Sequence, residues 1–183
     1  MQSPSADASP PTAPLLSRVL SLGCLLLAAA LPTLAVYIAL ANPQLIIDSL
    51  HLQVPRAAES LSIFQRIAIG VITTIPSLFQ AYGLLSARMC FGSFARGQYF
   101  SLEVIRGLRG FAAGLFLWPV AAVLSRPMLT FVATLDATPG GHQVSVGIDT
   151  GQVLTLLFAG ILWQIAGVMT RAKRLAEENA QFV

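Results

Sequence analysis

Four stretches of this chain carry no charged side chain: Val19–Ala41, Ile67–Ala87, Gly110–Ser125 and Val153–Thr170. A bilayer core about 30 Å thick needs about 20 apolar residues in a helix. In hydrocarbon, backbone N–H and C=O groups must be bonded within the segment, so such runs fold as helices. Charged residues make up 10% of the 183-residue chain, against about a quarter in a soluble domain. That is too few to clothe a water-facing surface. The expected fold is all-α, a bundle of four transmembrane helices with lipid as the main solvent.

The expected spans are about 19–41, 67–87, 104–125 and 153–170. At 1.5 Å per residue the first is about 34 Å long. The uncharged part of the third covers only about 24 Å. Its helix is therefore expected to begin earlier, near Ser101, with Arg106 and Arg109 snorkelling to the headgroups. Arg126-Pro127 is expected to close it. Residues 1–17 are rich in Ser, Pro and Ala and read as a disordered tail, leaving 18–183 as one domain. A cleaved signal peptide would have an apolar region of about 7–15 residues behind a basic segment. Here the run is longer and its leader nearly neutral, so the first span is expected to stay.

Orientation follows from basic residues. With both termini inside, the cytoplasmic side holds Arg18, Arg88, Arg96, Arg106, Arg109, Arg171, Lys173 and Arg174, eight in all, against Arg56, Arg66 and Arg126 outside. The positive-inside rule then places both ends in the cytoplasm. A net charge of +3, dispersed among apolar runs, makes no nucleic-acid footprint.

Outside the membrane, residues 43–66 read as an interfacial helix or an ordinary exposed loop. Leu129, Phe131, Ala133 and Leu135 alternate with other residues, as do Val144, Val146 and Ile148, around Thr138-Pro139-Gly140-Gly141. Period-two alternation about a Pro-Gly turn predicts a small extracytoplasmic β-hairpin between the third and fourth helices. Asp149 to Gln152 then predicts a capping box opening the fourth helix.

Little in the spans bears chemistry. No ionisable group lies in the middle of any span, where pumps and many ion transporters place one. Thr73, Thr74, Ser77, Gln80 and Tyr82 make the second span the most polar and are expected to face other helices. Gln80 and Gln164 are the strongly polar amides deep in the spans. Pro32, Pro76 and Pro119 are expected to kink their helices. Gly110 and Gly114 form GxxxG, which serves packing within the bundle or a homo-oligomer. Cys24 and Cys90 are not spaced for zinc and read as small hydrophobes. His51 and His142 are expected in separate loops. No catalytic constellation, metal site or cofactor motif is legible, so no enzyme is expected.

The densest segment is the loop before the third helix. Arg96-Gly97 supplies a turn, Ser101 an N-cap, and Glu103 a first-turn carboxylate expected to pair with Arg106. It reads Arg96-Gly97-Gln98-Tyr99-Phe100-Ser101-Leu102-Glu103-Val104-Ile105-Arg106-Gly107-Leu108-Arg109. Together with the close Arg174-Leu175-Ala176-Glu177-Glu178, it resembles the bacterial four-helix membrane family called domain of unknown function 2975.

The resemblance implies a bacterial cytoplasmic membrane and a cytoplasmic regulatory protein as partner. The expected function is that of a sensor, regulatory or accessory protein. Its docking residues are Arg96, Tyr99, Phe100, Glu103, Arg106, Arg109, Arg174, Glu177 and Glu178. The alternative is a subunit of a small transporter or channel.

Overall fold

A computed structural model describes residues 12–42, 45–46, 62–98, 101–135 and 147–180. They form four α-helices: α1 (Thr12–Ala41), α2 (Ile63–Ala95), α3 (Leu102–Ala133) and α4 (Thr150–Ala180). Each is long and apolar enough to cross a membrane. By length and composition this is a multi-pass membrane protein. The helices, about 45–50 Å long at 1.5 Å per residue, exceed the hydrocarbon thickness, so their ends reach into the headgroup layers or beyond.

The helices run up and down. Ser21 of α1 lines one cleft with Arg88 of α2 and Arg106 of α3 at one end, here called the turn end. Arg109 of α3 reaches Thr170 of α4 there as well. At the opposite, cap end, Ala39, Ile69 and Leu129 form a buried cluster flanked by Ile46, Ile72 and Val132. Each helix packs chiefly on its neighbours in sequence, and α1 and α4 share no substantial interface among the described residues. The bundle is therefore open, with α2–α3 at its centre and α1 and α4 as flanks.

Glycine sets the central contact. A Cβ placed on Gly114 would lie 2.6 Å from the Gly83 backbone nitrogen. One on Gly110 would meet Ser86 Oγ at 2.5 Å, and one on Gly107 would meet Cys90 Sγ at 2.6 Å. Small residues at this spacing let the two backbones approach closely. Gly110 and Gly114 are thus spent within the bundle, against α2.

The cap end corrects the expected β-hairpin. Its first strand is the last part of α3, and no strand occurs among the described residues. The apparent alternation is two i, i+4 pairs offset by two residues. Leu129 and Ala133 face inward and are buried, whereas Phe131 and Leu135 face outward. The turn at 138–141 and Val144 and Val146 lie outside the described residues. Pro127 likewise does not end the helix. Proline removes one backbone bond, but burial of Leu129, Thr130 and Ala133 beyond it carries the helix onward.

Two further boundaries differ. α1 is already helical at Thr12, so Leu15–Ser17 belong to the helix and not to a tail. α4 continues past Thr170 to Ala180.

The hydroxyls of α2 find their acceptors within their own helix. Thr73 and Thr74 donate to the Ile69 and Gly70 carbonyls at 2.8 and 2.6 Å. Ser77 and Ser86 donate to the Thr74 and Tyr82 carbonyls at 2.7 and 2.9 Å. Without water, the nearest acceptor is the preceding turn of the same helix. These groups need no partner helix.

Candidate functional site

The turn end gathers most of the residues singled out in the sequence. α2 closes through Gly97, whose φ of +73° is a left-handed conformation that glycine adopts without strain. The Gly97 and Gln98 amides donate to the Phe94 and Ser93 carbonyls at 3.0 and 3.1 Å. Ser101 then caps α3, its hydroxyl accepting from the Val104 amide at 3.3 Å.

A side-chain triangle locks this corner. Arg96 Nη2 donates to Glu103 Oε2 at 2.7 Å and to Ser93 Oγ at 3.1 Å. Ser93 Oγ donates to the same carboxylate oxygen at 3.1 Å. Ser93 is 0% exposed, while the Arg96 and Glu103 side chains are more than half exposed. The bridge thus has one buried anchor and two wet arms. Glu103 turns back to Arg96 across the loop and not along α3 to Arg106, as spacing alone had predicted. One turn deeper, Cys90 Sγ donates to the Val104 carbonyl at 3.3 Å, continuing the tie between the helices.

Beside the triangle lies a cleft of about 710 Å³. α1 contributes Ser21; α2 contributes Tyr82, Leu85, Arg88 and Met89, and its C-cap Arg96; α3 contributes Glu103 and Arg106. Three arginines and one carboxylate share it, and the carboxylate is already paired. On the other flank, Arg109 Nη2 donates to Thr170 Oγ1 at 3.2 Å, which in turn donates to the Ala166 carbonyl at 2.8 Å. This holds the end of α4 beside the start of α3.

The basic-acidic close of the chain pairs with itself along the helix. Lys173–Glu177 and Arg174–Glu178 are i, i+4 pairs at 3.6 and 3.2 Å. Of the expected docking residues, Arg96, Glu103 and Arg106 come together around the cleft, and Arg109 faces α4. Tyr99 and Phe100 lie outside the described residues.

Sequence reading overlooked two features. Ser62-Ile63-Phe64-Gln65 has the spacing of a capping box, and the Gln65 side-chain oxygen accepts from the Ser62 amide at 2.8 Å. Gln65 Nε2 also donates to the Val132 carbonyl at 3.3 Å, clasping α3. Ser93 carries no motif; only the fold shows it as the anchor of the corner.

Cys24 and Cys90 are free thiols in α1 and α2. Among the described residues no three His, Cys, Asp or Glu side chains gather as metal ligands, and His51 and His142 lie outside them. Apolar grooves of about 650 and 550 Å³ run along α4 and between α3 and α4. Gln164 touches both, is exposed, and makes no hydrogen bond to any described residue.

This geometry defines a class: a small polytopic helical membrane protein with a tightly fastened central hairpin and a basic cleft at one end. Comparison with protein-family models, curated proteins and solved structures finds no match to the chain.

Proposed function

We propose that this is a non-enzymatic regulatory or accessory protein of a bacterial cytoplasmic membrane, with both termini inside, that docks a cytoplasmic protein. The observation that carries the reading is the coupling of two segments at the turn end. The Ser93–Arg96–Glu103 triangle fixes the α2–α3 turn, and the Arg109–Thr170 bond brings the end of α4 to the base of the same hairpin. One partner can then touch the turn and the α4 extension together. The excess of basic residues at this end supports a cytoplasmic location for it. The likeness of both segments to the family called domain of unknown function 2975 supports a regulatory partner.

The test is affinity purification from the native cell in mild detergent. A cytoplasmic protein is expected to accompany the wild-type chain. It should be lost from a Tyr99→Ala, Phe100→Ala, Glu103→Gln variant that keeps every arginine. Identical recovery with both forms overturns the docking reading.

A homo-oligomer is also proposed, formed through α4. Gly110 and Gly114 are occupied by α2, whereas the exposed Gln164 offers both donors and an acceptor within an apolar helix. An amide in hydrocarbon gains from a partner helix, and a second Gln164 is complementary to it. A Gln164→Cys variant is expected to crosslink as a dimer under mild oxidation, and a Gly23→Cys variant on α1 is not. Equal crosslinking at the two sites contradicts an α4 interface. Should this oligomer enclose a path, the transporter alternative becomes testable by solute or ion flux into liposomes, with empty vesicles as the reference.

A further inference from the structure

We infer that the cleft between α1, α2 and α3 is a binding site for the phosphate of an anionic glycerophospholipid. The inference goes beyond the docking reading and does not rest on it. The turn and the end of α4 serve docking; the cleft uses Arg88 and Arg106.

Four carboxylates fall among the described residues: Glu103, Asp149, Glu177 and Glu178. Glu103 is held by Arg96, Glu177 by Lys173 and Glu178 by Arg174. Asp149 precedes α4 at the opposite end. No described carboxylate is left for Arg88 or Arg106, which line the same cleft from two helices. Among the described residues, two fixed positive charges therefore share one recess without a compensating carboxylate.

Position comes next. Arg88 directly follows the uncharged run Ile67–Ala87 of α2. Arg106 stands about 6 Å along α3 from its first residue. Each arginine thus lies within about one turn of the uncharged run of its helix, where a snorkelling side chain reaches the headgroup layer. A guanidinium also offers a planar fork of donors suited to phosphate oxygens.

The walls decide which anion. Leu85 and Met89 flank Arg88 and make one side of the cleft apolar. A free inorganic ion gains nothing from that surface, while an acyl chain lies along it. Tyr82 and Ser21 add hydroxyls for glycerol or ester oxygens. A headgroup bearing an ammonium would need a carboxylate, and Glu103 is engaged. The chemistry favours a lipid of net negative charge, such as phosphatidylglycerol, over a zwitterionic one. Basic recesses between transmembrane helices are suited to such headgroups.

The full-length chain in neutral detergent, examined by native mass spectrometry, provides the test. Phosphatidylglycerol, phosphatidylcholine with the same acyl chains, and deacylated glycerophosphoglycerol are titrated separately. The wild type is expected to retain phosphatidylglycerol in preference to the other two. Arg88→Gln and Arg106→Gln should each weaken retention about fivefold. Arg88→Lys should retain most of the binding. Arg171→Gln, an equal loss of charge outside the cleft, should change little.

Equal loss in Arg171→Gln reduces the effect to general surface charge and overturns the site. So does unchanged retention in Arg88→Gln and Arg106→Gln, or equal retention of phosphatidylcholine. Binding of the deacylated headgroup as tightly as the lipid replaces the lipid by a soluble phosphodiester and likewise overturns the proposal. Each single variant is checked for wild-type helical circular dichroism, and either one that folds suffices for the comparison.

Discussion

The central hairpin and the last helix use the same apolar composition in opposite ways. α2 and α3 approach each other across glycines. Gly83 and Gly114 touch backbone to backbone, and Ser86 and Cys90 fill the spaces beside Gly110 and Gly107. α4 carries Gly160 and Gly167 in positions where an added Cβ would meet nothing within 4 Å. Most of its large apolar side chains are exposed. Lipid is as apolar as leucine, so burial of leucine does not draw one membrane helix to another. Close backbone approach and polar ties do, and these are concentrated in α2–α3.

The largest expected effect tests this contrast directly. Gly114→Val should destabilise the protein by about 3 kcal/mol, because the new methyls cannot fit against the Gly83 backbone. Gly160→Val on α4 should shift stability by less than about 0.5 kcal/mol. Denaturation in mixed micelles measures both. Similar losses at the two positions would mean that α4 is packed as closely as α3.

The caps give the next effect. Gln65 and Gln152 both accept from the backbone amide three residues earlier, at 2.8 and 3.0 Å. Gln65 alone also reaches a neighbouring helix, through the Val132 carbonyl. Gln65→Leu should cost about 2 kcal/mol, since it removes both the bond to the Ser62 amide and the clasp to the Val132 carbonyl from a buried side chain. Gln152→Leu should cost about 1 kcal/mol, the usual value of a local cap. Reversal of that order in the same denaturation experiment would show that the clasp to α3 contributes nothing.

A smaller effect concerns the tether of α4. Thr170→Val removes the acceptor for Arg109 and should cost no more than about 1 kcal/mol. Its clearer sign is motion. Spin labels on Arg109-flanking Leu108 and on Ala172 should show a broader distance distribution in the variant. An unchanged distribution would place the hold on α4 in its apolar contacts with α3.

These differences also explain what the sequence disclosed. The four helices were legible because uncharged runs of this length have few other ways to satisfy their backbone. The turn at Gly97 and the cap at Ser101 were legible because both act within a few residues of themselves. The hairpin expectation failed at Leu129–Leu135 because four alternating residues fit a strand and two i, i+4 helix stripes equally well. Which reading holds is decided by Ala39 and Ile69, on other helices, against which Leu129 packs. The Glu103 pairing failed for a similar reason. Spacing along α3 offered Arg106, but the turn folds Arg96 back to within 2.7 Å of the same carboxylate. The hydroxyls of α2 name no partner helix, because a hydroxyl in a helix carries its acceptor with it.

The smallest effect compares ion pairs. Arg96–Glu103 and Arg174–Glu178 are both exposed pairs, at 2.7 and 3.2 Å. Exposed pairs contribute about 0–1 kcal/mol because water screens them and the side chains lose freedom. Arg174–Glu178 joins two positions of one helix and should couple by about 0.3 kcal/mol. Arg96–Glu103 joins two helices and is braced by the buried Ser93 hydroxyl, so its coupling should approach about 1 kcal/mol. Double-mutant cycles with Gln at each position measure the two terms separately. Repeating the Arg96–Glu103 cycle on a Ser93→Ala background should bring its coupling down toward that of the α4 pair. If the coupling is unchanged without Ser93, the corner is an ordinary surface ion pair, and the rigidity of the hairpin rests on its glycine contacts alone.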